Sequence, residues 1–205
     1  MNIRPRNRRI GILLSGRGSN FEAIAEHVAS GKLRAEIAVV ISNVESAPGL
    51  ARAQQRGLNA LFIPSKGKAR EAFDAELVAA LRANDVGLVV LAGFMRIFSH
   101  VMLDAYPNLI LNIHPSLLPS FPGRDVQQQA IDHGAKFSGC TVHLVDDTLD
   151  GGPIVLQAVV PVLDGDNADT LSQRILKEEH RIFSDAIDLV LSGRCELSGR
   201  RVRTC

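Results

Sequence analysis

Short apolar runs alternate with longer amphipathic ones along most of this chain, and that alternation constrains its fold more than any other feature. "RIGILLSG" reads as a first strand. "NFEAIAEHVASG" reads as a helix, with Phe21, Ile24, Ala25 and Val28 on one face and Gly31 at its end. The rhythm continues with "AEIAVVISN" as a strand, "APGLARAQQRG" as a helix, "NALFIP" as a strand and "AREAFDAELVAALRAND" as a helix. "VGLVVLAGF" and "NLILNIH" follow as the fourth and fifth strands. The fourth is apolar throughout, as a strand covered on both faces should be. Strands alternating with helices predict an α/β fold with a doubly wound, Rossmann-like, mostly parallel sheet.

After Gly123 the pattern changes. "RDVQQQAIDHG" reads as a helix, and "SGCTVHLV" and "PIVLQAVVPV" as an antiparallel hairpin joined by "DDTLDGG". "NADTLSQRILKEEHRIFSDAIDLVLSG" is one long amphipathic helix, capped by Asn167 or Asp169 and stopped by Gly193. The expectation is a single domain over residues 1–205. A parallel α/β half covers about 9–112, and a second half with the hairpin and long C-terminal helix covers about 113–192. Residues 193–205 read as a poorly ordered tail.

Lys and Arg number 23 against 22 Asp and Glu, so the formal charge of +1 offers no global pull toward nucleic acid. The basic clusters Arg4–Arg9 and Arg200–Arg203 read as solvated tails. No apolar run approaches the ~20 residues of a membrane span, and the one after the basic N-terminus is too short for a signal peptide. A cytoplasmic protein is expected, monomer or homodimer, with neither membrane nor nucleic-acid partners. Cys140, Cys195 and Cys205 show no C-x-x-C spacing, which fits a reducing compartment without disulfides or structural zinc.

The loop "SGRGSN" sits between the first strand and a helix N-terminus, where backbone N–H groups and the helix dipole favour an anion. It is not a dinucleotide fingerprint. Phe21 stands at the third glycine position, and Ser42 and Asn43 stand where an acidic residue ~20 residues on would be needed. It is not a Walker loop either, because G-K-[ST] is missing. What remains is a small nest around Gly16, Gly18, Ser19 and Asn20 suited to one phosphate group, to which Arg17 could add charge. The plainer reading is a tight turn with Ser19 or Asn20 as a helix cap.

The stretch "LNIHPSLLPSFPG" ends the fifth strand in Asn-x-His and then meets three prolines in eight residues. Ligands of open α/β sheets bind beyond the C-terminal ends of the strands. Alternation puts Asn112 and His114 on the same side there, where an amide donor and a titratable donor would suit a developing oxyanion. The plainer reading is a hydrogen-bonded histidine at a strand end. Of the X-Pro bonds, Leu118–Pro119 is the candidate for a cis peptide.

"DDTLDGG" is longer than a hairpin requires and carries Asp146, Asp147 and Asp150. Asp150 is either an Asp-Gly turn residue or, if it reaches the fifth strand, a partner that favours protonated His114. One histidine with carboxylates is a thin ligand set, so no metal is expected. No G-x-S-x-G elbow signals a serine nucleophile. "LAGFMRIF" leaves the fourth strand at the same edge, apolar except for Arg96; it is core packing or a wall for a flat heteroaromatic ligand.

Together, "ILLSGRGSN", "VVLAGFMRIF", "LNIHPSLLPSFPG", "GCTVHLVDDTLDGGPIVLQAVVPV" and "KEEH" resemble the glycinamide ribonucleotide formyltransferases of purine biosynthesis over nearly the whole chain. The Asn-x-His-Pro-Ser-Leu-Leu-Pro run with a downstream Leu-Asp-x-Gly-Pro is specific to formyltetrahydrofolate-using transferases as a group. "SGRGSN" narrows the group, because it resembles a site for the substrate's ribose phosphate. Methionyl-tRNA formyltransferases carry an extra C-terminal domain and formyltetrahydrofolate hydrolases an extra N-terminal one, and the expectation is that neither is present.

The resemblance implies a catalytic trio of Asn112, His114 and Asp150 and a phosphate loop of Gly18, Ser19 and Asn20. It also implies a glycinamide contact at Glu179 and folate contacts at Arg70, Met95, Arg96, Ile97 and Phe98. The two halves become a phosphate-binding half and a folate and catalytic half. The implied co-substrate is 10-formyltetrahydrofolate, without a metal, and the implied acceptor is the primary amine of glycinamide ribonucleotide. One departure is Gln127, where the family usually has histidine. A formyltetrahydrofolate hydrolase, with water in place of the amine, is the second reading; a non-catalytic sugar-phosphate binder is the third.

Overall fold

In the computed structural model, which describes residues 2–204, a short edge strand β1 (Asn2–Ile3) precedes a parallel half of β2 (Arg9–Leu14), α1 (Ser19–Ala29), β3 (Glu36–Ser42), α2 (Pro48–Gln55), β4 (Ala60–Phe62), α3 (Arg70–Ala83), β5 (Leu88–Leu91), α4 (His100–Ala105) and β6 (Ile110–His114). Then follow α5 (Val126–Asp132), β7 (Phe137–Leu144), β8 (Ile154–Pro161), α6 (Ala168–Leu191), β9 (Cys195–Ser198) and β10 (Arg201–Thr204). Cys205 lies outside the described residues.

All ten strands join one sheet in the order β1-β9-β10-β8-β7-β6-β5-β2-β3-β4. From β6 to β4 neighbouring strands are parallel. The pairs β6–β7 and β7–β8 are antiparallel, so the expected hairpin extends the parallel sheet. The chain winds outward one way through β2, β3 and β4 and the other way through β5 and β6. The reversal between β2 and β5 opens a crevice at their C-terminal ends.

Strand alternation divides the core between the two faces. Ile10, Ile12, Leu14, Val40, Leu88, Val90, Leu111 and Ile113 pack with Phe21 and Ile24 of α1 and with Ile175, Phe183 and Ile187 of α6. Their strand neighbours Leu13, Val39, Ile41, Val89, Leu91 and Ile110 pack with Phe73, Leu77 and Leu81 of α3 and Met102 of α4. Each fully buried side chain of this size contributes about 1.5–3 kcal/mol of apolar transfer. The long helix is capped at Asn167, whose side chain accepts from Thr170 N–H while the Thr170 hydroxyl accepts from Asn167 N–H.

The structure corrects the reading of both termini. Residues 193–204 are not a loose tail: β9 and β10 form a hairpin across Gly199–Arg200, β9 pairs with β1, and β10 meets β8. Four-residue strands are too short to show a period, and the arginines in β10 masked the strand pattern. The basic clusters are also not simply solvated. Arg6 pairs with Asp85, Arg8 with Asp188 and Arg9 with Glu36. These are surface pairs of modest worth. Helix α4 and strand β1 were not anticipated.

Candidate active site

Asn112, His114, Asp150 and the segment Met95 to Phe98 converge at the crevice. Strand β6 ends with Asn112 and His114 both lining a cleft of about 620 Å3. Asp150 lines it from the loop between β7 and β8, with Oδ2 3.5 Å from His114 Nδ1. Asp150 has a left-handed backbone (φ 48°), which turns its side chain back over the strand end. There its Oδ2 also accepts a 2.9 Å hydrogen bond from Gly123 N–H, tying the proline-rich turn to the hairpin loop. Within that turn Leu118–Pro119 is cis, as anticipated.

His114 is buried, and both ring nitrogens face acceptors. Nε2 lies 2.9 Å from the Phe121 carbonyl, so it carries hydrogen. A neutral ring would then turn the Nδ1 lone pair toward the Asp150 carboxylate; a protonated ring places an N–H there instead.

Sequence reasoning missed His143. Antiparallel pairing of β6 with β7 sets it directly opposite Asn112. Its Nδ1 is 2.9 Å from the Leu144 carbonyl and its Nε2 is 3.1 Å from Asn112 Nδ2. Burial, above all, lowers its pKa, against the opposing pull of the Leu144 carbonyl and of the nearby Asp150 and Asp146.

Met95, Arg96, Ile97 and Phe98 form the opposite wall, joined by Gln127 from α5. Phe98 stacks on Phe94 and Phe94 on Phe73, while the Arg96 guanidinium lies 5.3 Å from the centre of the Phe73 ring. Buried Asp74 on α3 accepts from both N–H and Oγ of Ser99 and so anchors the far end of this wall. Met95 and Ile97 remain largely exposed at the mouth. Arg70 is exposed at the start of α3 and is not part of the cleft wall.

The glycine loop meets the same wall through Ser15. Its Oγ accepts from Met95 N–H at 2.9 Å and donates to Asn43 Oδ1 at 2.7 Å, and its N–H donates to the Gly93 carbonyl. Gly18, in the left-handed region (φ 76°), is the N-cap of α1, so neither Ser19 nor Asn20 caps the helix. The first intrahelical bond is Glu22 N–H to Gly18 O, which leaves the N–H groups of Ser19, Asn20 and Phe21 without helical acceptors. Asn20 is buried and donates from Nδ2 to Glu179 Oε2 of α6 at 2.7 Å. Burial raises the Glu179 pKa, and the Asn20 bond opposes that rise. Neither residue lines the cleft; they form a second polar cluster on the glycine-loop side.

Burial, with a smaller contribution from Glu179, pushes the Cys140 thiol up to about 12, unsuited to nucleophilic attack. Among the described residues no group of three or more His, Cys, Asp or Glu is arranged to hold a metal ion. Also among them, no helix is long and apolar enough to cross a membrane.

Known proteins resemble this chain over nearly its whole length. Residues 8–187 match the family described as "Formyl transferase". The phosphoribosylglycinamide formyltransferase of Escherichia coli is 42% identical over 189 residues, 92% of this chain and 89% of that protein. The trifunctional purine biosynthetic protein adenosine-3 of Drosophila melanogaster is 44% identical over 199 residues, 96% of this chain, but the match spans only 15% of that protein's length. The crystal structure of glycinamide ribonucleotide transformylase 1 from Symbiobacterium toebii superimposes with a TM-score of 0.94 at 51% identity, covering 97% of this chain and 94% of that one. By the extent of these matches, the chain belongs to the formyl transferase family.

Proposed function

We propose that this protein transfers the formyl group of 10-formyltetrahydrofolate to the primary amine of glycinamide ribonucleotide, a step of purine biosynthesis. The observation that carries this reading is the joining of two kinds of site at one crevice. A cleft with an apolar wall and an Asn-His-Asp floor adjoins a glycine loop at a helix N-terminus, and Ser15 links them.

The cleft fits a flat, bicyclic formyl donor: its volume lies in the range of sites for such ligands, and Met95 to Phe98 supply an apolar face. The N–H groups at the start of α1 suit a phosphate. Asn20 Oδ1 is buried and has no hydrogen-bond partner among the described residues, so a ligand hydroxyl or amide would satisfy it. Glu179, beside it, is the acceptor for the glycinamide portion. Arg70, outside the cleft wall, is left to meet any tail of the donor that extends past Ile97.

In the reaction the unprotonated amine attacks the formyl carbon. A C–N bond forms and the carbonyl π pair moves to oxygen. Asn112 Nδ2–H donates to that oxyanion, a charge present only beyond the ground state, and so does Nδ1–H of the protonated His114 ring, which at 3.5 Å is only loosely held by Asp150 while Nε2–H stays on the Phe121 carbonyl. Asp150 holds the His114 ring in register and accepts the proton shed by the attacking nitrogen, through water. The oxyanion then collapses and the bond to the donor nitrogen breaks. Asp150 returns its proton through water to that nitrogen and the donor leaves as tetrahydrofolate, so atoms and charge balance.

The same floor would serve a hydrolase, with water as nucleophile, and the glycine loop is what favours the amine acceptor. The test is turnover of 10-formyltetrahydrofolate with and without glycinamide ribonucleotide. Formyl transfer requires consumption of the donor to depend on the acceptor and a formylated product to accumulate. Equal consumption without the acceptor identifies a hydrolase, and no consumption in either case identifies a binding protein.

A further inference from the structure

We infer that His143 is a positioning residue for the reaction: as a neutral ring in a single tautomer, it sets the orientation and polarity of the Asn112 carboxamide. The inference rests on the formyl-transfer reading above.

A carboxamide can point either its NH2 or its oxygen at a neighbour, and the two ends are nearly the same size. Only the NH2 end can stabilise an oxyanion, so something must break the symmetry at Asn112. The Leu144 carbonyl, 2.9 Å away, requires a hydrogen on His143 Nδ1. A neutral ring hydrogenated there presents a bare lone pair at Nε2. That lone pair, 3.1 Å from Asn112, accepts one N–H and so fixes the amide nitrogen, not the oxygen, on this side. The register of β6 against β7 makes the contact a direct cross-strand pair, so neither partner has to reach.

Protonation would reverse the instruction. An imidazolium offers N–H at both nitrogens and would turn the Asn112 oxygen toward itself. The charged groups facing the ring are Asp150, whose Oδ1 is 4.0 Å from Nε2, Asp146 on the same loop, and His114 on β6; the register partner on β8 is Ile154. The two carboxylates favour charging, while burial and His114 oppose it, and burial is the largest influence.

Two variants test this, His143→Leu and His143→Gln. Leucine fills the space without an acceptor. Glutamine can place Oε1 near the position of Nε2 and does not titrate. His143→Leu should lower kcat by about 10- to 100-fold, the scale of a misplaced catalytic group, with both KM values little changed. His143→Gln should restore most of kcat at neutral pH, and its kcat relative to wild type should rise as the pH falls below the ordinary histidine range, near 6.5. Wild-type kcat in His143→Leu, or equal losses in both variants at unchanged melting temperature, would overturn the inference. The nitrogen chemical shifts of His143 in the wild type give a readout independent of turnover: hydrogen on Nδ1 and a lone pair on Nε2 are required. Absence of amine-dependent formyl transfer in the wild type would instead defeat the functional reading and leave the tautomer result standing.

Discussion

Asn20 and Glu179, 159 residues apart in sequence, meet in a buried 2.7 Å hydrogen bond that joins the glycine loop to the long C-terminal helix. Burial disfavours the Glu179 carboxylate, and the Asn20 N–H is what offsets it. Asn20→Ala removes that donor and should destabilise the protein by about 1–3 kcal/mol in chemical denaturation. It should also weaken binding of glycinamide ribonucleotide while leaving folate binding intact, as titration calorimetry with each ligand would report. Equal losses for both ligands would count against assigning this cluster to the amine substrate.

The glycine loop calls for two substitutions with different expected outcomes. A Cβ on Gly18 would lie 2.7 Å from Gly49 Cα, at a φ that L residues avoid, so Gly18→Ala should lower stability as well as affinity. A Cβ on Gly16 meets nothing within 4 Å. Gly16→Ala should therefore melt like the wild type and still weaken phosphate binding, if backbone approach is what the loop provides. Unchanged affinity in Gly16→Ala would remove Gly16 from the site.

Asn112→Ala should reduce kcat by about 100- to 1,000-fold, the usual loss for one oxyanion donor, with small changes in KM for either substrate. Steady-state kinetics separates the outcomes. An effect confined to KM would make Asn112 a ground-state contact.

The buried histidines His143 and His180 should each cost stability on mild acidification. Burial lowers the pKa of both His143 and His180. As pH drops through the ordinary histidine range, near 6.5, the unfolded chain takes up protons that these folded rings refuse. The unfolded state then binds more protons, so folding stability is present above that range and is lost below it. Melting temperatures between pH 5 and 8 would show this, and His143→Gln should flatten the curve. A slope unchanged by that substitution would show that His143 does not contribute to it.

Some of this site could be read from the chain and some could not, for reasons that lie in particular residues. Asn112 and His114 share one strand, and a two-residue spacing on a strand already places them on one side. Glu179 was legible only through the family resemblance of "KEEH"; its place in the apolar stripe of Ile175, Ile182, Phe183 and Ala186 appears once α6 is seen packed. His143 was invisible because its meaning depends on a pairing register with a strand 31 residues away. In "TVHLV" it is one polar residue in a strand, and only aligning that strand antiparallel to "LNIH" reveals its partner. Helix α4 was missed because "HVMLDA" is six residues long and is held by Ser99 and Asp74 more than by any periodicity. The terminal hairpin was missed because its strands are held by β1 and β8, elements far away in sequence.

That hairpin bears on how the molecule is made. The Arg200 guanidinium donates to the carbonyl of Gly151, next to Asp150, and Arg201 pairs with Ile154 where β8 leaves the same loop. The brace is 49 residues downstream of the carbonyl it holds. A domain folds as a unit, and synthesis runs at about 5–20 residues per second. The loop carrying Asp150 therefore emerges seconds before Arg200 exists to brace it, and that carboxylate gains its outer support only when β9 and β10 join the sheet.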